Sequence, residues 1–216
     1  MPAGERRRSR TLERVIGMAS GPETTDQRLS VLELAESLAA LTADQFTPEG
    51  VFELLCRYRV QPASLEPYLR FDPRHYTRNL IYADERFEML ALCWEPGQRS
   101  PIHNHAGQQC WMLVPVGLLL NQNYRVLELD EERQTCRLAP TGRCSIDPAH
   151  PLRVDPDEPI HRVENPFEDG KRSVSLHIYS LPYDRCLVYS LETGRYGEVE
   201  LKYTPAFAQP LEPAVG

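Results

Sequence analysis

The spacing of apolar residues divides the chain into a helical first third and a β-rich remainder. Between residues 26 and 41 the apolar positions recur with the period of one helix face, and they are Leu29, Val31, Leu32, Leu34, Leu38 and Leu41. Residues 48–59 predict another helix, because proline suits a first helical turn and Val51, Leu54 and Leu55 share one side. Thr42 and Gln45 have the spacing of a capping box, which predicts a short helix between these two.

After Pro73 short apolar runs alternate with clusters of Gly, Pro, Asn and Asp, a pattern typical of all-β proteins. The predicted strands are residues 87–94, 110–116, 118–129, 135–138, 144–146, 160–163, 173–179, 186–190 and 198–203. A barrel removes the free edges of so many strands and leaves an interior wide enough for a small ligand. We therefore expect a tail over residues 1–25, a helical annex over 26–72 and a barrel over 73–216, with annex and barrel as one structural unit.

The predicted strand at residues 173–179 has an unusual polar face. Alternation places Val174, Leu176 and Ile178 on one side, and it places four residues on the other side, namely Ser173, Ser175, His177 and Tyr179. An ordinary half-buried strand would turn such a polar face to solvent. The alternative is a polar face that lines an internal cavity.

The stretch from Gly97 to Gly117 combines turn residues with side chains that can bind metal. Gly97 is followed by five residues, by HNH with His103 and His105, by four residues and Cys110, and by six residues and Gly117. On an extended strand residues i and i+2 point to the same face, so both imidazoles would converge on one point. A pair of histidines alone is more commonly structural, and the surrounding spacing is the stronger signal.

This spacing resembles the first motif of the cupin superfamily, with Cys110 at the position where most cupins carry a metal-binding glutamate. The second cupin motif is matched at its end by the segment HRVEN, which begins at His161 and ends at Asn165. Glu158 stands where that motif has a glycine, so we expect the turn there to be built differently.

Three histidines with a cysteine at the glutamate position resemble the cysteine dioxygenase family within the cupins. The segments YTRN at residues 76–79, HRVEN at 161–165 and SVSLHIYSLPYDRC at 173–186 are also similar to that family, in its order. The likeness extends over about residues 76–203. It implies an all-β cupin barrel, antiparallel and jelly-roll-like, and an arginine-containing member of the bacterial type.

The resemblance implies an iron-dependent thiol dioxygenase. Fe(II) would be bound by His103, His105 and His161, L-cysteine would coordinate through its thiolate and amine, and both atoms of O2 would end on sulfur as the sulfinate. Arg78 would bind the substrate carboxylate through its guanidinium fork, and Tyr76 would form a hydrogen bond near the substrate or Arg78. From the residues alone, three imidazoles suit Fe, Zn, Cu or Ni.

The resemblance also implies that Cys110 and Tyr179 become joined by a thioether between the cysteine sulfur and the tyrosine ring. The tyrosine hydroxyl would then be held rigidly against the substrate and oxygen. His177 and Ser175, on the same strand face, would orient that hydroxyl and bind no metal.

Composition narrows the remaining possibilities. The net charge of −7 and the absence of a clustered basic face beyond residues 6–10 argue against nucleic acid as a partner. No stretch is apolar enough to span a membrane, and the N-terminus does not resemble a secretory signal. Six scattered cysteines then indicate free thiols in a reducing compartment, so we expect a cytoplasmic protein. We also expect a monomer.

Three other readings stay open at this point. In the first, the protein is still a thiol dioxygenase but its substrate is 3-mercaptopropionate or a related thiol acid, although Arg78 and Cys110 argue against this substrate. The protein would be a non-catalytic cupin that binds a small ligand or metal in another, which leaves His177 and Tyr179 without a role. A Zn or Ni isomerase is disfavoured, because the usual glutamate is missing.

Overall fold

The computed structural model describes residues 27–205, so the predicted tail at residues 1–25 lies outside the described part of the chain. The helices are α1 Val31–Ala39 and α2 Pro48–Arg57, with short 3-10 helices at Pro62–Tyr68 and Phe167–Asp169. The strands are β1 Arg28–Leu29, β2 Arg59–Val60, β3 Thr77–Ala83, β4 Glu88–Trp94, β5 Ile102–His103, β6 Cys110–Val116, β7 Leu119–Asp130, β8 Thr135–Ile146, β9 Leu152–Arg153, β10 Ile160–Glu164, β11 Ser173–Tyr179, β12 Arg185–Tyr189 and β13 Tyr196–Glu200.

Two sheets form the barrel wall. One sheet has the strand order β13-β12-β5-β10-β7-β8 and the other β3-β4-β11-β6-β9, and neighbouring strands in both are antiparallel. At the turn from β6 to β7, Gly117 has a φ of +80°, and a Cβ there would lie 2.3 Å from the Ser173 hydroxyl oxygen. The predicted antiparallel β-barrel with a small N-terminal helical annex is confirmed.

The helices cover the outer face of the second sheet. The buried residues Leu34, Leu38 and Leu55 of the annex belong to the same cluster as Leu176 and Ile178 of β11. The opposite face of β11 meets the barrel interior, so all seven of its residues are buried. The ordinary half-buried strand, with its polar face in solvent, is therefore excluded for residues 173–179.

The helix predictions need two corrections. α1 begins at Val31 rather than at residue 26, because Ser30 and Glu33 form a complete capping box at its start. Thr42 and Gln45 make the side-chain contact that was expected, since the Thr42 N–H donates to Gln45 Oε1 over 3.0 Å, but only a turn follows. The predicted short helix there is wrong, because Thr47 caps α2 a few residues later.

The strand predictions also need corrections. The strand expected at residues 198–203 is β13, Tyr196–Glu200, so residues 201–203 lie beyond its end. The separate strands expected at residues 135–138 and 144–146 form one strand, β8, which continues through Pro140 and Gly142. β8 lies at the edge of its sheet, where a residue without an N–H is tolerated. β3 was missed as a strand, since its alternation is broken by a register shift between Leu80 and Tyr82.

The six cysteines are free thiols, as expected. None of the helices within residues 27–205 combines the length and apolarity needed to cross a bilayer. The division of the chain at residue 73 stays a prediction.

Candidate metal centre

Three histidines meet on the inner wall of the first sheet. His161 of β10 lies directly opposite His103 of β5 in the antiparallel register. His105 lies two residues beyond the end of β5, and the intervening Asn104 is bound to Leu187 of β12 in both directions, over 3.1 and 3.0 Å. One ligand atom from each of the three histidines lies within 4.8 Å of the others. The structure therefore brings together the residues that the sequence singled out as metal ligands.

Hydrogen bonds fix which ring nitrogen is free in two of these histidines. His103 Nδ1 lies 3.0 Å from the carbonyl oxygen of Pro101, which can only accept, so Nδ1 carries the hydrogen. His161 Nδ1 lies 2.6 Å from Asn121 Oδ1, and the Asn121 amide nitrogen donates to Asn123 over 2.7 Å, which keeps the oxygen towards the histidine. Both Nε2 atoms are thus left as lone-pair donors for a metal.

The protonation of the cluster favours a cation between the rings. Burial lowers the pKa of His103 to about 4, and burial together with neighbouring histidines holds the pKa values of His105 and His161 well below the ordinary value. Neutral His105 and His161 present their Nε2 atoms to each other at 3.2 Å. Two nitrogens bound about 2.1 Å from one ion would lie about 3 Å apart, so the donor set fits a transition-metal ion.

A second group of buried side chains lies beside the histidines on the inner face of the other sheet. Cys110 of β6 and Tyr179 of β11 are direct cross-strand neighbours, and so are Tyr179 and Glu88 of β4. The Tyr179 ring centroid is 5.6 Å from that of His105. Burial raises the pKa of the Cys110 thiol and of the Tyr179 hydroxyl, so both groups are neutral at ordinary pH.

A chain of hydrogen bonds runs along the polar face of β11. The Trp94 indole N–H donates to Ser175 Oγ over 2.9 Å, Ser175 Oγ is 3.0 Å from His177 Nε2, and His177 Nδ1 is 3.2 Å from the Tyr179 hydroxyl. Burial, with Arg78 and His103 adding to the effect, lowers the pKa of His177 to about 3. This imidazole is neutral, so it donates at one nitrogen and accepts at the other.

Arg78 carries the positive charge of this region. Its Cζ lies 5.9 Å from the Tyr179 ring centroid, and its buried Nε has no hydrogen-bond partner among residues 27–205. Burial alone would lower the pKa of Arg78, but coulombic attraction to the acidic groups around it, which are Tyr179, Tyr183, Tyr76 and Glu88, outweighs burial and the pKa is raised. The ring of Tyr76 stacks on Trp94 with centroids 4.4 Å apart.

A cavity of about 720 Å³ opens from Arg78 to the surface. Tyr76, Arg78 and Pro101 form part of its wall, and Pro101 is the residue whose carbonyl oxygen contacts His103. The rest of the wall includes Gln98, Arg99 and residues 200–205. The cavity is wide enough to admit a small polar molecule to the guanidinium group.

Four residues of the site were missed from the sequence. Asn121 contacts His161, the Trp94 indole closes the hydrogen-bond chain, and Tyr183 packs edge-on against Tyr179 at 5.0 Å. Glu88 is buried beside Tyr179 on the neighbouring strand. Asn121 gives no clear signal in the sequence, since it is the first of three consecutive polar residues, 121–123, in β7.

In the turn before His161, where Glu158 stands in place of the glycine of the cupin motif, Asp155 accepts the hydrogen bonds that shape the backbone. The N–H of Glu158 donates to the carbonyl oxygen of Asp155 over 3.1 Å, and the N–H of Asp157 donates to Asp155 Oδ1 over 2.9 Å. Glu158 itself accepts from Thr141 over 2.7 Å. The turn is therefore built differently, as expected.

The barrel and its three convergent histidines define a cupin with a candidate metal centre. The profile of the family described as Cysteine dioxygenase type I matches residues 23–192 of the chain. The chain belongs to the cysteine dioxygenase type I family. The family implies a metal cofactor and, with the relatives below, supports a thiol dioxygenase of the cupin type.

Relatives in vertebrates match most of the chain. Cysteine dioxygenase type 1 of Danio rerio is 25% identical over 189 residues, which cover 87% of this chain and 90% of that protein. The protein of the same name from Rattus norvegicus is 28% identical over 166 residues, covering 76% and 80% respectively. That from Homo sapiens is 27% identical over 168 residues, with the same coverage of 76% and 80%.

Solved structures give weaker matches. A protein with a double-stranded β-helix domain from Klebsiella pneumoniae has a TM-score of 0.40 at 12% identity, covering 63% of this chain and 87% of that one. A cupin superfamily protein from Desulfitobacterium hafniense has a TM-score of 0.38 at 12% identity, covering 53% and 84%. The assignment of the fold rests on the strand order described above and on the family match.

Proposed function

We propose that the protein is an iron-dependent dioxygenase that converts L-cysteine and O2 to L-cysteine sulfinate. The observation that carries the proposal is the arrangement around Tyr179. Its ring centroid lies 5.6 Å from that of His105, one of the three clustered histidines, and 5.9 Å from Arg78 Cζ, and Arg78 Nε has no hydrogen-bond partner among residues 27–205. Such a site would offer a metal to the thiol and a cation to the carboxylate of the same substrate molecule.

Fe(II) would be held by His103, His105 and His161. The donor set fits, because all three rings are neutral and two of them keep Nε2 free through hydrogen bonds at Nδ1. A face of three imidazoles brings no negative charge, which favours an anionic thiolate as a further ligand. When bound, the iron would supply the redox chemistry by which the thiol sulfur is oxidised and both atoms of O2 are retained in the sulfinate.

Arg78 would bind the substrate carboxylate. Its Nε is a buried donor without a partner in the described part of the chain, and an unpaired buried donor is costly unless a ligand satisfies it. A carboxylate that accepts two parallel hydrogen bonds from the guanidinium would do so. Tyr76, which lines the same cavity and is held against Trp94, would complete the carboxylate site.

Tyr179 would present its hydroxyl hydrogen to the substrate or to oxygen. Ser175 accepts from the Trp94 indole, and its own hydroxyl hydrogen is satisfied if it donates to His177 Nε2. His177 Nδ1 then carries the ring hydrogen and donates to the Tyr179 oxygen, which leaves the phenolic hydrogen free. His177 and Ser175 are in this scheme the residues that orient Tyr179.

A thioether between Cys110 and Tyr179 would lock the phenol in this orientation. The two residues face each other across β6 and β11, so the bond requires no rearrangement of the sheet. Forming the bond removes one hydrogen from the thiol and one from the ring, and O2 is the oxidant that accepts them. In the crosslinked protein the Tyr179 side chain would already be fixed, so no conformational entropy would be lost in ordering it in each turnover.

Oxygen consumption by the iron-loaded protein tests the proposal. With L-cysteine we expect O2 uptake and a product heavier than the substrate by the mass of O2, whereas 3-mercaptopropionate should be oxidised much more slowly. Faster turnover of 3-mercaptopropionate would assign the other thiol acid as substrate. Absence of oxygen uptake with either thiol, in protein that retains stoichiometric iron, would instead indicate a non-catalytic cupin.

A further inference from the structure

A C-terminal strap, residues 201–205, covers one side of the cavity in front of Arg78. It follows β13 and is tied to the barrel by the Leu201 N–H, which donates to the Asp184 carbonyl oxygen over 2.7 Å. Thr204 then bonds to Arg78 in both directions. The Thr204 N–H donates to the Arg78 carbonyl oxygen over 2.8 Å, and the Arg78 N–H donates to Thr204 Oγ1 over 3.0 Å.

These bonds matter because β3 is an edge strand, with β4 as its single neighbour in the sheet within residues 27–205. The outward backbone groups of such a strand lack a second strand to bind them. At Arg78 the strap supplies those partners. The position of the strap therefore fixes the backbone from which the guanidinium reaches into the cavity.

A buried carboxylate holds the strap. Glu88, the first residue of β4, is 0% exposed, and its Oε2 accepts the hydroxyl hydrogen of Tyr203 over 2.5 Å. Its Oε1 is buried and has no hydrogen-bond partner among residues 27–205. Tyr203 is 44% exposed, so its ring contributes little to the core and its hydroxyl is the part that reaches inwards.

Burying a carboxylate at position 88, directly beside Tyr179 on the neighbouring strand, costs free energy that an apolar residue would avoid. The carboxylate adds a coulombic attraction to Arg78 and the hydrogen bond from Tyr203, and the hydrogen bond is the interaction that reaches the strap. We propose that Glu88 and Tyr203 form a latch that keeps the C-terminal strap on β3, and that both act as positioning residues for Arg78 when it binds the substrate carboxylate. This inference rests on the proposed function for its role in substrate binding, while the latch itself is a property of the protein alone.

The latch is tested first without substrate, by hydrogen exchange of the Thr204 and Arg78 amides. Tyr203→Phe removes one hydroxyl and should speed both exchanges by about tenfold or more, the effect of losing a hydrogen bond to a charged group. Glu88→Gln keeps an acceptor for Tyr203 and should retain the protection. The control is Tyr196→Phe, at a tyrosine of β13 that stacks on Tyr189, and it should exchange like the wild type.

Tyr203→Phe also leaves a buried carboxylate unpaired, so a double variant guards against loss of the fold. Glu88→Met with Tyr203→Phe removes both partners at once, which is nearly neutral for stability when shapes are similar. It should release the strap as the single variant does. If both variants fold and keep full protection at Thr204, the latch does not exist.

Kinetics then test the role in positioning. If release leaves Arg78 correctly placed for about a tenth of the time, KM for L-cysteine rises about tenfold in Tyr203→Phe while kcat is nearly unchanged. Cysteamine, which lacks the carboxylate, should show no change in KM. Faster exchange with an unchanged KM for L-cysteine would overturn the positioning role, and a rise in KM for Glu88→Gln equal to that for Tyr203→Phe would assign the effect to charge instead. A protein that oxidises no thiol would refute the proposed function, and hydrogen exchange would still decide the latch.

Discussion

Replacing Arg78 by alanine is the change that most directly probes how the protein recognises its substrate. The guanidinium is buried, its Nε has no partner among the described residues, and its Cζ lies 5.9 Å from the Tyr179 ring. A charged hydrogen bond of this kind contributes roughly 1.5 to 3 kcal/mol, which corresponds to a loss of roughly 10- to 150-fold in kcat/KM for L-cysteine. Cysteamine has no carboxylate and should lose far less.

Steady-state oxygen uptake with both thiols measures this difference. Arg78→Lys keeps the charge without the planar fork and should recover only part of the activity. Arg99→Ala removes a cation from the wall of the same cavity and serves as the control, with a small effect expected because charges near the surface are screened. Unchanged kinetics with L-cysteine in Arg78→Ala, or equal losses for the two thiols, would refute the role of Arg78.

Three further predictions concern the metal, the crosslink and the buried acid. Asn121→Ala should weaken iron binding about 10- to 100-fold by freeing the His161 ring, as metal titration would show, and unaltered affinity would contradict the ligand geometry. Cys110→Ser should keep its iron but lose the faster-migrating gel band that forms with iron, cysteine and air; loss of iron would make Cys110 a ligand. Burial raises the pKa of Glu88 above 4.5, so the folded state holds this proton more tightly than the unfolded chain. Glu88 therefore destabilises the fold least below pH 4.5, and the free energy of unfolding falls as the pH rises and the buried carboxyl loses its proton. Denaturant titration should find Glu88→Gln more stable than the wild type only at the higher pH.

The parts of the site that could be predicted from the sequence lie on short, strongly patterned strands. β6 and β11 have the bounds expected from alternation and flanking turn residues. Because β11 alternates strictly, the sequence could also say which of its residues share a face. The pair of His103 and His105 was found through spacing, and His161 through the resemblance of the segment HRVEN to the second cupin motif. The strand register then brings His103 and His161 together.

The parts that were missed depend on contacts between distant segments. Glu88 and Tyr203 are 115 residues apart, and Asn121 and His161 are 40 apart. Each residue taken alone is an ordinary strand or chain-end residue, and its role arises only when the sheets place it beside its partner. β3 was missed for a different reason, because its bulge interrupts the alternation of apolar and polar residues by which a strand is recognised.

In the proposed function, a three-histidine iron centre adds both atoms of O2 to the sulfur of L-cysteine. Turnover of L-cysteine by the iron-loaded protein under heavy-isotope O2 in ordinary water, with mass analysis of the product, tests it most directly. We expect a sulfinate in which both oxygen atoms carry the label, formed by the wild type and absent with His161→Ala. A product with one labelled oxygen, or a disulfide of cysteine as the main product, would contradict it.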